Sequence, residues 1–176
     1  MIDEDGRQDA VIQDIATAGV ARTAAGEAFS GLVVRVFRLN GLLAAAGDGL
    51  ARPAGQSSAR WQVLAMIEER EHTVAETART LGLARQSVQR VADLLERDGL
   101  VTYVDNPRHR RARLLRLTSR GRSVLGDIQA SQRPWADEAG SRVGEARLRR
   151  LNADLDVVLG RVGSGRARGR GTSPRG

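Results

Sequence analysis

"TVAETARTLGLARQSVQRVADLLERDGLV", residues 73–101, reads as two short helices joined by a turn. Thr73 and Glu76 supply the T-x-x-E capping box that opens the first helix, and Gly82 is placed to end it. The second runs from Ala84 to about Asp98 and stops at Gly99. On a wheel of about 100° per residue, Ala84, Val88, Val91, Ala92 and Leu95 share one side. Gln86, Gln89, Arg90, Asp93 and Arg97 share the other, with Arg85 on the flank. The apolar side is expected to pack on the first helix through Val74, Ala78 and Leu81. The polar side begins with arginines and glutamines. Arginine can hold guanine O6 and N7, and glutamine adenine N6 and N7. A helix entering a major groove reads bases with its N-terminal end. Taken alone, this face reads equally well as a solvated surface.

Its surroundings favour the first reading. "LVTYV" (100–104) and "RARLLRLT" (111–118) are β-prone runs joined by the turn-forming "DNPRHRR" (105–111). A short helix pair followed by a β-hairpin is a winged helix-turn-helix. From Arg108 to Arg122 the chain carries seven arginines and no acid, a cluster that repels itself without a nearby polyanion. Upstream, "SSARWQVLAMIEER" (57–70) is a helix with Ser57 as N-cap. Before it, residues 27–47 place Leu32, Val36, Leu39 and Leu43 at helical spacing, and "GDGLARPAGQ" (47–56) reads as a loop. Downstream, Thr118 caps a helix toward Ala139, and Pro134 implies a kink. A last helix, 144–162, carries Leu148, Leu151, Leu155, Val158 and Val162 as a heptad seam. These outer helices are too apolar to stand alone, and a second copy of the chain is the simplest partner.

The expected fold is mainly α with a small β-hairpin wing. Residues 1–25 form an N-terminal arm or marginal extra helix, and 26–56 a first dimerisation helix and loop. Residues 57–117 form the winged helix-turn-helix, with recognition helix 84–97 and wing 100–117. Residues 118–162 form C-terminal dimerisation helices, and 163–176 a disordered Gly/Arg tail.

Composition agrees with a nucleic-acid partner. The 176 residues carry a net charge of +7, with all 28 cationic Lys/Arg positions arginine. Arginine's planar fork suits phosphate and guanine. The absence of cysteine excludes disulfides and thiolate metal sites. No apolar run in the sequence approaches the roughly 20 residues of a membrane span, and the acidic "MIDEDGRQDA" is no signal peptide. A cytoplasmic location is expected, with no membrane partner. No nucleotide-binding loop or hydrolase motif is present, and His72 and His109 both fall in or near loops. No enzyme activity, metal or cofactor is expected.

"ARWQVLAMI" (59–67), the 73–101 stretch and "DNPRHRRARLLRLTSRGR" (105–122) together resemble the MarR family of bacterial transcription regulators, over about residues 28–161. The resemblance implies a winged-helix homodimer that uses its first and last helices as the interface. It implies a repressor released from a pseudo-palindromic operator in double-stranded DNA by a small, often aromatic or phenolic, effector. Carried over by position, Arg85, Gln86, Ser87, Gln89 and Arg90 meet the major groove and its phosphates. Arg108, His109, Arg110 and Arg111 form the wing contacts, with Arg111 in the minor groove. Two positions depart from the family pattern: Ala84 stands where a Ser or Thr cap is usual, and His109 where an aspartate would hold Arg111. Arg35, Arg38, Arg60 and Trp61 are candidates for an effector pocket. The alternative is a low-specificity architectural nucleic-acid binder, suggested by the Gly/Arg tail and the basic charge.

Overall fold

The computed structural model describes residues 22–109 and 111–168, with side chains to residue 163. Arg110, most of the expected N-terminal arm (1–21) and the end of the tail (169–176) lie outside the described residues. The chain divides into two compact units, residues 1–46 and 47–176. The division falls inside the first helix, α1 (Ala24–Ala51).

Within the first unit, α1 opens behind Thr23, whose Oγ1 accepts from the Gly26 amide at 3.1 Å. The helix does not stop at the expected loop but continues through Gly47 and Gly49 to Ala51. A single 3-10 turn, Arg52–Ala54, follows, with Pro53 in its first turn and Gly55 in the left-handed region at φ 69°. Tertiary contact overrides two glycines here. Gly47 and Ala51 are buried, and Asp48 Oδ1 accepts from the Ser58 amide at 2.6 Å. By length and composition alone, Ala24–Ala54 also holds an 18-residue window, with a mean hydropathy of 1.4, apolar enough to cross a membrane. The expectation that no run approaches a membrane span is corrected on this point, by length and composition only.

The second unit continues with α2 (Ser58–Met66), capped by Ser57 Oγ on the Arg60 amide. A two-residue strand β1 (His72–Thr73) leads into α3 (Val74–Leu81) and α4 (Arg85–Arg97). Strands β2 (Val101–Val104) and β3 (Leu114–Leu117) form the hairpin. Long helices α5 (Ser119–Val143) and α6 (Glu145–Arg168) close the chain. Helix α6 thus runs past residue 162 into the segment expected to be a disordered tail. Pro134 lies inside α5, which continues through it.

The sheet has three strands, not two, in the order β1–β3–β2 and all antiparallel. His72 pairs with Leu115 and Tyr103 pairs with the same Leu115 from the other side. One core joins these pieces: Val63, Leu64, Ile67, Ala78, Val88, Ala92, Leu95, Leu100, Leu115 and Leu125 are all buried in it. The buried residues of α4 are Val88, Ala92 and Leu95, so its apolar stripe faces inward as the wheel requires. Burial of a Val or Leu side chain contributes roughly 1.5–3 kcal/mol, and this stripe fixes which face of α4 remains open.

Candidate nucleic-acid interface

The turn between α3 and α4 is set by local chemistry. Thr73 Oγ1 accepts from the Glu76 amide, and Glu76 Oε2 accepts from the Thr73 amide at 2.8 Å, closing the capping box. The Thr73 amide, and with it the Thr73 hydroxyl donating to the same oxygen at 2.9 Å, hold the Glu76 carboxyl below its ordinary value. Gly82, at φ 67°, ends α3 with its amide on the Ala78 and Arg79 carbonyls. Helix α4 then starts at Ala84 with no side-chain cap. No described residue replaces the missing cap, so the first-turn amides of Arg85 and Gln86 stay open, ready for an anion.

The open half of α4 carries Arg85, Gln86, Ser87 and Arg90, all exposed, and Gln89, half-buried. Arg85, Gln86, Gln89 and Arg90 line one shallow, open hollow. A second cleft runs from Arg85 and Gln89 across Tyr103 to Arg111 and Arg113, joining the recognition helix to the base of the wing.

Gln89 differs from its neighbours. Its Nε2 donates to Asp93 Oδ1 and to the Tyr103 hydroxyl, each at 2.7 Å. The Tyr103 hydroxyl in turn donates to Asp93 Oδ1 at 2.9 Å. Burial, then the Asp93 carboxylate, pushes the Tyr103 phenol up to about 12. Arg113 donates to the Tyr103 carbonyl at 2.5 Å, and its guanidinium stands 5.3 Å from the centre of the Tyr103 ring. Tyr103, Asp93 and Arg113 were not singled out as site residues by the sequence. Nothing local marks Tyr103, because its partners lie in another element.

The arginine run is less uniform than its sequence implies. Arg116 is ion-paired with Glu71, Arg113 is committed to Tyr103, and Arg120 donates to the Asp98 carbonyl at 3.0 Å. The expectation of a wholly unpaired cluster is corrected accordingly. Arg108 and Arg111 remain exposed, and their side chains bond to no described residue. The wing loop is shaped by its backbone: the buried Asn106 takes the Arg108 amide on Oδ1 at 3.0 Å and the His109 amide on its carbonyl at 3.2 Å. His109 is exposed and its side chain does not engage Arg111.

The effector-pocket candidates have structural partners or open surroundings. Arg35 donates to the Gly31 carbonyl within α1 at 2.8 Å, and Arg38 is exposed. Arg60 donates to Asp98 Oδ2 at 2.5 Å, which holds that carboxyl below its ordinary value. Arg60 thereby ties α2 to the C-terminal end of α4, while its Nε is buried without a partner. Trp61 packs against the core.

The sequence profile of the MarR family matches residues 55–112, the stretch from the end of the 3-10 turn to the wing. An uncharacterised protein of Mycobacterium tuberculosis, Rv2011c, is 48% identical over 97 residues, covering 55% of this chain and 68% of its own length. The crystal structure of the M. tuberculosis regulator MosR in complex with DNA is 27% identical and covers 74% of this chain and 96% of its own, with a TM-score of 0.62. BldR from Sulfolobus solfataricus shares the fold at 19% identity, covering 80% and 99% of the two chains, with a TM-score of 0.69. This chain belongs to the MarR family of winged-helix transcription regulators, a family of regulators and not of enzymes.

Proposed function

We propose that the protein is a homodimeric repressor that binds a pseudo-palindromic operator through α4 and the wing, and leaves it when a small aromatic or phenolic effector binds. The observation that carries DNA recognition is the open half of α4, where Arg85, Gln86, Gln89 and Arg90 surround one hollow beside the arginines of the wing. Arg85 and Arg90 supply forked donors for guanine or phosphate, and the uncapped start of α4 adds two backbone donors. Arg108 and Arg111, free of partners among the described residues, grip the backbone and minor groove together with Arg110. Ser87 completes the helix contacts. His109 does not brace Arg111, so that arginine meets DNA as a flexible charge.

Dimerisation is supported by what the single chain leaves in water. Val36, Leu39 and Leu43 lie on one face of α1 at 42%, 47% and 49% exposure, and Leu151 and Val162 on one face of α6 at 44% and 51%. Rows of large apolar side chains of this kind mark an interface. Arg35, Arg38, Arg60 and Trp61 remain the effector candidates. Arg60 is the informative one, since an acidic effector that drew it from Asp98 would loosen the end of α4.

Selection of bound sequences from a random duplex library tests the reading, followed by affinity for the winner and a scrambled control at about 150 mM salt. A specific regulator prefers its operator by roughly 10³-fold or more. Equal, salt-sensitive binding to every duplex would replace the operator reading with an architectural one.

A further inference from the structure

We infer that Tyr103 and Asp93 set the base preference of the recognition helix by turning the amide nitrogen of Gln89 inward, so that Gln89 reads DNA as a hydrogen-bond acceptor only. This rests on the proposed role of α4 in DNA recognition.

The orientation of the amide is fixed by its neighbours. Asp93 is a carboxylate and can only accept. The Tyr103 hydroxyl has one proton, and it is committed to Asp93 Oδ1. The face that Gln89 turns toward this pair must therefore be its Nε2, which stands 2.7 Å from both oxygens. The amide is left with Oε1 as its outward group. Tyr103 is itself held firmly, by pairing with Leu115 in the sheet and by Arg113 on its carbonyl and ring. Because the phenol resists ionisation up to about 12, it keeps its donor role at every physiological pH.

The consequence for recognition differs from the one glutamine usually offers. A free glutamine selects adenine by accepting from N6 and donating to N7. An acceptor-only glutamine accepts a hydrogen bond from adenine N6 or from cytosine N4 and has nothing to give N7. It distinguishes amino-bearing bases from guanine and thymine, and it distinguishes adenine from cytosine poorly. Tyr103 is then a positioning residue, acting through Gln89 without touching DNA.

The test uses the full chain and the operator obtained by selection. Substituting Gln89→Ala identifies the operator position that Gln89 reads, as the one whose preference disappears. At that position the wild type is expected to accept adenine and cytosine within about twofold of each other. Tyr103→Phe and, independently, Asp93→Ala release an N–H from the inward network. Each is expected to raise the adenine-to-cytosine ratio about fivefold, the equivalent of one added neutral hydrogen bond of about 1 kcal/mol. Asp93 is exposed, so its variant reports even where Tyr103→Phe fails to fold. A merely structural role for Tyr103 would lower affinity for all four bases alike and leave that ratio unmoved.

The proposal is overturned if both ratios stay at the wild-type value, if Gln89→Ala changes no position, or if the wild type already rejects cytosine. Arg90→Ala separates the two levels of argument. If it binds the operator as tightly as wild type, the reading of α4 fails as well. If it weakens binding while the ratios hold still, only the role of Tyr103 fails.

Discussion

Gly121, in the first turn of α5, packs directly against the Leu100 backbone, and Gly121→Ala tests how tightly the two are joined. A Cβ there would lie 1.9 Å from the Leu100 carbonyl oxygen, 2.9 Å from its carbon and 3.2 Å from Leu117 Cδ2. The obstacle is backbone and cannot rotate away. It is also pinned, since the Leu100 carbonyl accepts from the Thr118 amide at 3.1 Å and the Gly99 carbonyl accepts from the Thr118 hydroxyl at 2.7 Å. Overpacking of a core typically costs 1–3 kcal/mol, and a clash between two fixed backbones belongs at or above the top of that range, about 3 kcal/mol or more. At roughly 2–4 °C per kcal/mol for a chain of this size, the expected loss in Tm is about 10 °C. Gly126→Ala is the matched control: it lies in the same helix with nothing within 4 Å of the new Cβ. It should gain roughly 0.5–1 kcal/mol from helix propensity. Thermal melts of the three proteins at one concentration decide the matter. A Gly121→Ala protein that melts within about 2 °C of wild type would refute the close approach and the derived cost.

Three further outcomes are expected. Thr73→Ala removes a cap in use and should cost about 1 kcal/mol in denaturant melts, whereas Ala84→Ser supplies a missing one and should gain a similar amount; equal effects of the same sign would contradict the capping assignment. Arg111→Ala should lower the slope of log affinity against log salt by about 1, while Arg116→Ala, whose charge is already paired with Glu71, should change it less; equal slopes for both would count against a backbone role for Arg111. His72 is buried, with Nδ1 unpartnered, and burial first, then Arg70, holds its pKa below the ordinary 6.5, against a smaller opposing pull from Glu76. The unfolded chain therefore takes up a proton that the folded chain resists, so stability is full above pH 6.5 and falls as pH drops from there through the folded value. His72→Gln should flatten that fall in urea melts taken as pH drops below 6.5, and an unchanged slope would exclude His72 as its source.

What could be read from the sequence was whatever is decided within a turn of helix. The Thr73–Glu76 box, the Gly82 and Gly99 stops and the inward stripe of Val88, Ala92 and Leu95 each depend on residues a few positions apart. The exposed Arg85, Gln86 and Arg90 followed from that stripe by subtraction. Features made by distant partners were not legible. Gly47 and Gly49 read as helix breakers, yet the packing of Gly47 near Ser58 and the bond from Ser58 to Asp48 keep them helical. Strand β1 has two residues and exists only through its pairing with β3. The arginine run looked unpaired because Glu71, the partner of Arg116, stands 45 positions earlier. Gln89 looked free because the phenol that holds it lies 14 positions further on, across the turn into β2.

That hidden connection bears on how the wing and the recognition helix act together. From the wing, Arg113 holds the Tyr103 carbonyl and covers its ring. Tyr103 reaches Asp93 and Gln89 on α4. At the other end of the helix, Arg60 from α2 and Arg120 from α5 both bond Asp98, one to its carboxylate and one to its carbonyl. Helix α4 is thus tied at its middle to the sheet and at its end to two other helices, while its first turn is left without a cap. A helix held in this way brings its reading end to a groove with the spacing to the wing base already set, so little ordering entropy remains to oppose binding. The freedom that remains lies where the ties are absent, in Arg108, Arg111 and the open amides of the first turn. In the proposed complex those groups meet the phosphate backbone and the minor groove, and phosphate contacts tolerate small displacements better than base edges do. Rigidity at Gln89 and looseness at Arg111 therefore divide the interface into a part fit to discriminate and a part fit to hold.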